Sequence, residues 1–292
     1  MMFKNLILTL RPRQWAKNLI IFAGIIFAKK FFELDYLLKT IAAFVIFCLL
    51  SGIVYIINDI VDRKADQKHP EKSKRPIAAG LLPVKTAIIS AIVLTLFSLV
   101  FAYLLSSPFF FVALAYFILM LGYSFFFKKI VILDVLIVAT GFALRTFAGT
   151  VVISVEISVW LFLCSILLAL FLAISKRRHE LVYLDNGGLS HRTVLGQYSK
   201  QLLDQFIAIV TASTIIAYSI YTIAPETVTK FHSKNLVLTI PFVLYGILRY
   251  LYLIYQKQLG GSPERVLLED KPLIISIIVW LLSVGVIIYF IK

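Results

Sequence analysis

Apolar positions along this chain come in long unbroken blocks, not in alternation. The blocks Thr40–Ile57, Thr86–Ser106, Phe109–Phe127, Ile130–Ile153, Ser158–Ser175, Phe206–Ala224, Leu236–Tyr255 and Leu273–Ile291 reach or approach the roughly 20 residues that a helix needs to cross a bilayer. A weaker block, Leu19–Ala28, is cut short by Lys29 and Lys30. Together they predict an all-α integral membrane protein with about nine transmembrane helices. They account for most of the 292 residues and leave no room for a large soluble domain. The first stretch, residues 1–18, has a short apolar patch broken by Arg11, Pro12 and Arg13. It reads as an amphipathic segment on the membrane surface, with no cleavage site for a signal peptide.

The polar intervals give the orientation. Residues 1–18 and the alternate connections 58–85, 128–129, 176–205 and the one after Tyr255 hold 21 Lys and Arg. The other side, Lys292 included, holds six. Positive charge stays in the cytoplasm, so the N-terminus is expected inside and the C-terminus outside, in a cell (inner) membrane. The long inner loops 58–85 and 176–205 lie four spans apart, which suggests two four-helix halves and a final helix. Chemistry is expected at the cytoplasmic face. The composition agrees: 61% hydrophobic and a mean hydropathy of +0.95. The net charge of +14 reads as topology, anionic lipid and an anionic substrate, with nothing pointing to nucleic acid. Cys48 and Cys164 sit in apolar blocks and read as packing residues. Neither a disulfide, a metal site of cysteines nor a Ser/His/Asp or Cys/His nucleophile is indicated.

The most informative stretch follows Ile57: Asn58, Asp59, Asp62 and Asp66, spaced N-D-x-x-D-x-x-x-D. If the second span continues as a helix, positions 59, 62 and 66 return to one face. Carboxylates so placed repel one another unless a cation lies between them. Mg2+ suits them, because it takes oxygen ligands, keeps waters and is commonly shared with substrate phosphates. Lys64, Lys68, Lys72, Lys74 and Arg75 follow at once. They either neutralise remaining phosphate charge or form a solvated topogenic loop.

This pattern, placed after the second span and followed by "HPEKSKRPIAAG", resembles the UbiA superfamily of membrane prenyltransferases over most of the chain. The resemblance implies one transmembrane UbiA-like domain, 1–292, with a cytoplasm-facing active site. It also implies Mg2+ held by Asp59, Asp62, Asp66 and Asn58, with those aspartates catalytic in expelling pyrophosphate from a diphosphate substrate.

Ordinary members carry a second aspartate motif after the sixth helix. Here that place reads Lys176, Arg177, Arg178, His179, Glu180, which suits an anionic second substrate, since Arg offers a forked donor to phosphate. The plain alternative is a topogenic basic end of a helix. Together with "LRPRQWAKNLIIFAG" and "YSFFFKKIVILDVLIVATGFALRTFAG", the cluster is similar to one branch of the superfamily. In that branch phosphoribosyl pyrophosphate is the donor and a polyprenyl phosphate the acceptor, in the supply of cell-wall arabinose. Substrate contacts expected on this basis are Lys17, Asn18, Asn58, Lys74, Arg75, Tyr123, Lys128, Lys129, Asp134, Arg145, Lys176, Arg177, Arg178 and Glu180.

Some of these have plainer roles open to them. Lys128 and Lys129 either hold a phosphate or mark an inner loop. Arg145 lies about three turns deeper than Asp134 and reaches substrate or pairs with an acid on another helix. Arg249 is placed to snorkel, while His191 and Arg192 stay unassigned. Rival functions are transfer of an isoprenoid to an aromatic acceptor, transport of an anionic solute, and a lipid-binding scaffold. The charges crowd one face, against the transporter, and the second aspartate motif is missing, against the aromatic prenyltransferase. Polyprenyl chain length, the number of ions and the formation of a homo-oligomer stay open.

Overall fold

The computed structural model describes residues 2–68, 70–156, 158–185, 193–257, 259, 261 and 263–291. The helices, in chain order, are α1 Met2–Thr9, α2 Phe22–Phe27, α3 Leu34–Val61, α4 Arg63–Asp66, α5 Val84–Leu105, α6 Ser107–Phe125 and α7 Leu133–Val151. They continue with α8 Val159–Asp185, α9 Lys200–Ile223, α10 Pro225–Phe231, α11 Ile240–Tyr255, α12 Pro263–Glu269 and α13 Lys271–Tyr289. No strand occurs among the described residues. A 3₁₀ segment, Pro12–Ile21, precedes α2. Among the described residues eight helices are long and apolar enough to cross a membrane, α11 being counted with the 3₁₀ turn before it from Asn235. In hydrocarbon every backbone N–H and C=O needs a partner, and a helix supplies one within itself.

The first expected span takes another form. Pro12 starts a 3₁₀ winding and Lys29 and Lys30 end the apolar stretch, so the 3₁₀ segment and α2 replace one regular helix. At about 2.0 Å per residue in the first part and about 1.5 Å in the second, the 16 residues reach roughly 29 Å. Within the expected surface segment 1–18, α1 ends at Thr9. Phe3, Ile7 and Leu8 on α1 are exposed, whereas Asn18 and Ile21 are fully buried.

The chain forms two compact units, α1 through α7 and α8 through α13. The expected split into two four-helix halves and a final helix is displaced by one element. The extra piece is the 3₁₀ segment with α2, in the first unit. That unit packs around Phe47, whose ring lies 5.8 Å from Phe109 and 5.1 Å from Tyr116. Glycine permits a very close approach here: a Cβ on Gly149 would fall 2.0 Å from the Ile21 carbonyl oxygen, so α7 lies backbone-to-backbone on the 3₁₀ segment. In the second unit Trp280 Nε1 donates to Tyr218 Oη at 2.7 Å, which is paired with Thr239 Oγ1 at 2.6 Å.

Candidate active site

The second long span does continue as a helix. The Asp62 N–H donates to Asn58 O at 2.9 Å and the Asp66 N–H to Asp62 O at 2.8 Å. Only a small break at Asp62 (φ −89°, ψ 4°) separates α3 from α4. The three aspartates therefore lie on successive turns at one end of the first unit, and each meets a cation from another part of the chain. Asp59 is 2% exposed and accepts from Arg11 Nη2 at 2.5 Å and Arg75 Nη1 at 3.0 Å. The same Arg75 nitrogen donates to Asp66 Oδ2 at 2.7 Å. Asp62, at 32% exposure, accepts from Lys128 Nζ at 2.7 and 2.9 Å, and that ammonium also reaches Asn58 Oδ1 at 3.1 Å. The Arg11 guanidinium lies 4.7 Å from the Tyr55 ring centroid, a favourable cation–π contact.

The four expected metal-holding residues thus fall into two sets, Asp59 with Asp66 and Asp62 with Asn58. Among the described residues no three or more Asp, Glu, His or Cys side chains close a metal cage. The donors still fit a hard divalent cation. Three oxygens of Asn58 and Asp62 already converge on one positive centre, and such an ion commonly takes only one or two protein carboxylates beside waters and phosphate oxygens.

Other expected residues vary. Lys74 stays at the surface, 3.4 Å from Glu71. Lys129 is exposed, Tyr123 is half-buried, and Asp134 is fully buried in the first turn of α7. Lys17 donates to Gln14 Oε1 at 2.5 Å. Asn18 and Arg145 join each other inside the first unit: Arg145 Nε donates to Asn18 Oδ1 at 2.7 Å and its Nη2 to Tyr116 Oη at 2.6 Å. Of the two roles open to Arg145, the pairing with an acid on another helix is not seen among the described residues; a neutral amide and a phenol are its partners.

In the second unit Arg177 and Arg178 are buried at one end of α8, with Lys176 half-buried beside them. Arg177 Nη1 donates to Glu180 Oε2 at 3.0 Å. Arg178 Nε donates to Asp204 Oδ1 on α9, which also accepts from Tyr255 Oη on α11 at 2.8 Å. The Arg178 guanidinium lies 4.0 Å from the Tyr255 ring centroid. The ring of His179 lies close to Gly261, where an added Cβ would fall 2.7 Å from it. Arg249 pairs with Asp270. His191 and Arg192 lie outside the described residues.

Sequence reasoning passed over Arg11, Tyr55, Asp204 and Tyr255. Their only signal is position: each falls near the inner end of an expected span, where the recognised motifs also lie.

The chain is 33% identical to the decaprenyl-phosphate phosphoribosyltransferase of Mycolicibacterium smegmatis, over 98% of this chain and 93% of that protein. It is 31% identical to the decaprenyl-phosphate phosphoribosyltransferase of Corynebacterium glutamicum, over 98% and 87%. Its fold is similar to that of a UbiA homolog from Archaeoglobus fulgidus bound to GPP and Mg2+, with a TM-score of 0.73 at 20% identity, over 97% of this chain and 99% of that one. The UbiA prenyltransferase family matches residues 18–259, and the chain belongs to that family.

Proposed function

We propose that this membrane enzyme transfers 5-phosphoribosyl from phosphoribosyl pyrophosphate to a decaprenyl-type polyprenyl phosphate, releasing pyrophosphate, in donor synthesis for cell-wall arabinose. The observation that carries this is the interleaving of Asn58, Asp59, Asp62 and Asp66 with Arg11, Arg75 and Lys128. Carboxylates are placed for a metal, and cations for phosphate oxygens. The names of the two curated relatives support the choice of donor and acceptor.

Asn58 and Asp62, with Asp59 and Asp66 behind them, would hold Mg2+. Bound there, the ion neutralises charge on the leaving pyrophosphate. Arg75 and Lys128 share that charge as donors to phosphate oxygens. The ribose carbon becomes oxocarbenium-like as pyrophosphate leaves. The lipid phosphate, steered by Lys176, Arg177 and Arg178, attacks it from the opposite face. That nucleophile is already ionised near neutral pH, so no strong general base is required. The protein's work is positioning and charge stabilisation. The Lys and Arg excess on one side supports an inner-membrane protein with the N-terminus in the cytoplasm and the C-terminus outside, and the family match with the coverage of the relatives supports one UbiA-like domain over 1–292.

A direct test gives the purified protein Mg2+, labelled phosphoribosyl pyrophosphate and polyprenyl phosphate. Label is expected to enter the lipid phase. Label that stays in water, with turnover only when an isoprenyl diphosphate and an aromatic acceptor are supplied, would sink the proposal.

A further inference from the structure

The 3₁₀ winding of Pro12–Ile21 is unusual for its length. It persists for 10 residues, whereas such runs rarely exceed about four. Three residues per turn place residues three apart on one ridge. Arg11, Gln14 and Lys17 form one such ridge, joined by the Gln14 N–H to Arg11 O bond at 2.8 Å and by Lys17 Nζ to Gln14 Oε1 at 2.5 Å. Asn18 lies on the neighbouring ridge and faces the core at 0% exposure.

Asn18 is held from two sides. Its Nδ2 donates to Ser51 Oγ at 3.2 Å and Cys48 Sγ at 3.3 Å on α3. Its Oδ1 accepts from Arg145 Nε on α7 at 2.7 Å. Arg145 is 6% exposed, and its hydrogen-bond partners among the described residues are neutral. A cation kept inside a membrane bundle without a carboxylate is costly and marks a functional constraint. At the other end of the segment Arg11 adopts the left-handed conformation (φ 54°), a strained backbone that is retained where it serves a site. There it meets Asp59.

We propose that Arg145 and Asn18 are positioning residues. They clamp the deep end of the segment in its 3₁₀ winding and so deliver Arg11 to Asp59. The geometry shows why winding matters. From Pro12 to Asn18, relaxation to an α-helix would rotate the near end by about 120° and shorten the segment by about 3 Å. With Asn18 fixed, Arg11 would swing away from Asp59. The charge on Arg145 has a reason in this scheme: a guanidinium gives Asn18 a strong donor and still reaches Tyr116 with its second arm.

This inference rests on the proposed diphosphate site, and the test separates the two. Full-length protein in nanodiscs is titrated with inorganic pyrophosphate and Mg2+ by calorimetry. Arg145→Met, Asn18→Ala and Arg11→Ala are each expected to weaken binding about tenfold, and each double variant with Arg11→Ala no further than Arg11→Ala alone. That non-additivity between residues that do not touch is the signature of action through Arg11. Additive losses would overturn the inference, as would full binding in Asn18→Ala. Should Arg145→Met fail to fold, Asn18→Ala carries the test, since it cuts the same bond from the other side. Should the wild type itself not bind Mg–pyrophosphate, the proposed site falls. Hydrogen exchange then decides the clamp: Asn18→Ala is expected to speed exchange over residues 12–21, and unchanged protection there overturns it.

Discussion

The two charged clusters are built in opposite senses. In the first unit the acids share one helical run, Asp59 to Asp66, and the cations come from the N-terminal segment, the following loop and the α6–α7 connection. In the second the cations share α8, and one of the two acids, Asp204, comes from α9. The balance differs too. Three carboxylates face three cations in the first cluster, whereas in the second, among the described residues, Arg177 pairs with Glu180 and Arg178 with Asp204, with Lys176 beside them. A neutral interleaved array suits a metal and a diphosphate arriving together, because both signs are needed at once. A cluster with surplus positive charge suits a lone anion.

The largest expected effects break the first cluster. Asp59→Asn and Asp62→Asn should each lower Mg2+-dependent turnover by about 100-fold or more, the scale of losing one preorganised electrostatic group. Their stabilities should diverge. Asp59 is 2% exposed between two arginines; losing its charge takes that carboxylate from the partly exposed Arg11 while Arg75 keeps Asp66, a cost of about 1–3 kcal/mol. Asp62 is 32% exposed on one lysine, and its loss should cost no more than about 1 kcal/mol. Thermal unfolding beside turnover checks both. Equal destabilisation would mean that burial does not separate the two carboxylate sets. Full turnover in either variant would remove that residue from the metal site.

A smaller effect sharpens the contrast with the second cluster. Asp204 accepts from both Arg178 and Tyr255, and so holds the guanidinium fork still. Asp204→Asn should raise KM for polyprenyl phosphate about tenfold through lost positioning and leave KM for phosphoribosyl pyrophosphate unchanged. Steady-state kinetics with each substrate varied in turn measures this. A shift in both values would show that the clusters do not serve separate substrates.

Periodicity made part of this legible. Eight long apolar blocks became the eight long helices, and the expected continuation of the helix past Ile57 is realised by α3 and α4 with a small break at Asp62, although Asp62 pairs apart from Asp59 and Asp66. Both features repeat within one helix, where neighbours three and four apart in sequence are neighbours in space. What stayed hidden lies between elements. Arg11 meets Asp59 across 48 positions, Lys128 meets Asp62 across 66, and Tyr255 meets Asp204 across 51. No local pattern encodes such pairings. The 3₁₀ winding was hidden for a related reason: a weak apolar stretch behind a proline is compatible with several helices, and packing against Gly149 and the Arg145–Asn18 bond selects one. Arg145 was legible as costly, but its neutral partners were not.

The smallest expected effect serves as a control, in an ion pair outside both clusters. Asp270 accepts from Arg249 Nη2 at 2.9 Å and Nε at 3.2 Å, and from the Leu273 N–H at 2.9 Å, so it also caps α13. The Arg249 hydrogen bonds hold its carboxyl below the usual carboxylate range, and the capping bond adds to this against the opposing effect of desolvation. A folded-state pKa below the unfolded value near 3.9 means stability that is present above that value. It is lost as pH falls through the folded pKa. Asp270→Ala should therefore cost about 1 kcal/mol at pH 7, as loss of an N-cap does, and leave both KM values alone. The gap between variant and wild type in thermal unfolding should begin to narrow below about pH 4 and close only once the pH has fallen through the lowered folded-state pKa, where the native carboxyl is protonated as well. A gap that persists there would mean that packing, not the charge of Asp270, supports the helix end. A change in either KM would mean that this ion pair, too, belongs to a substrate site.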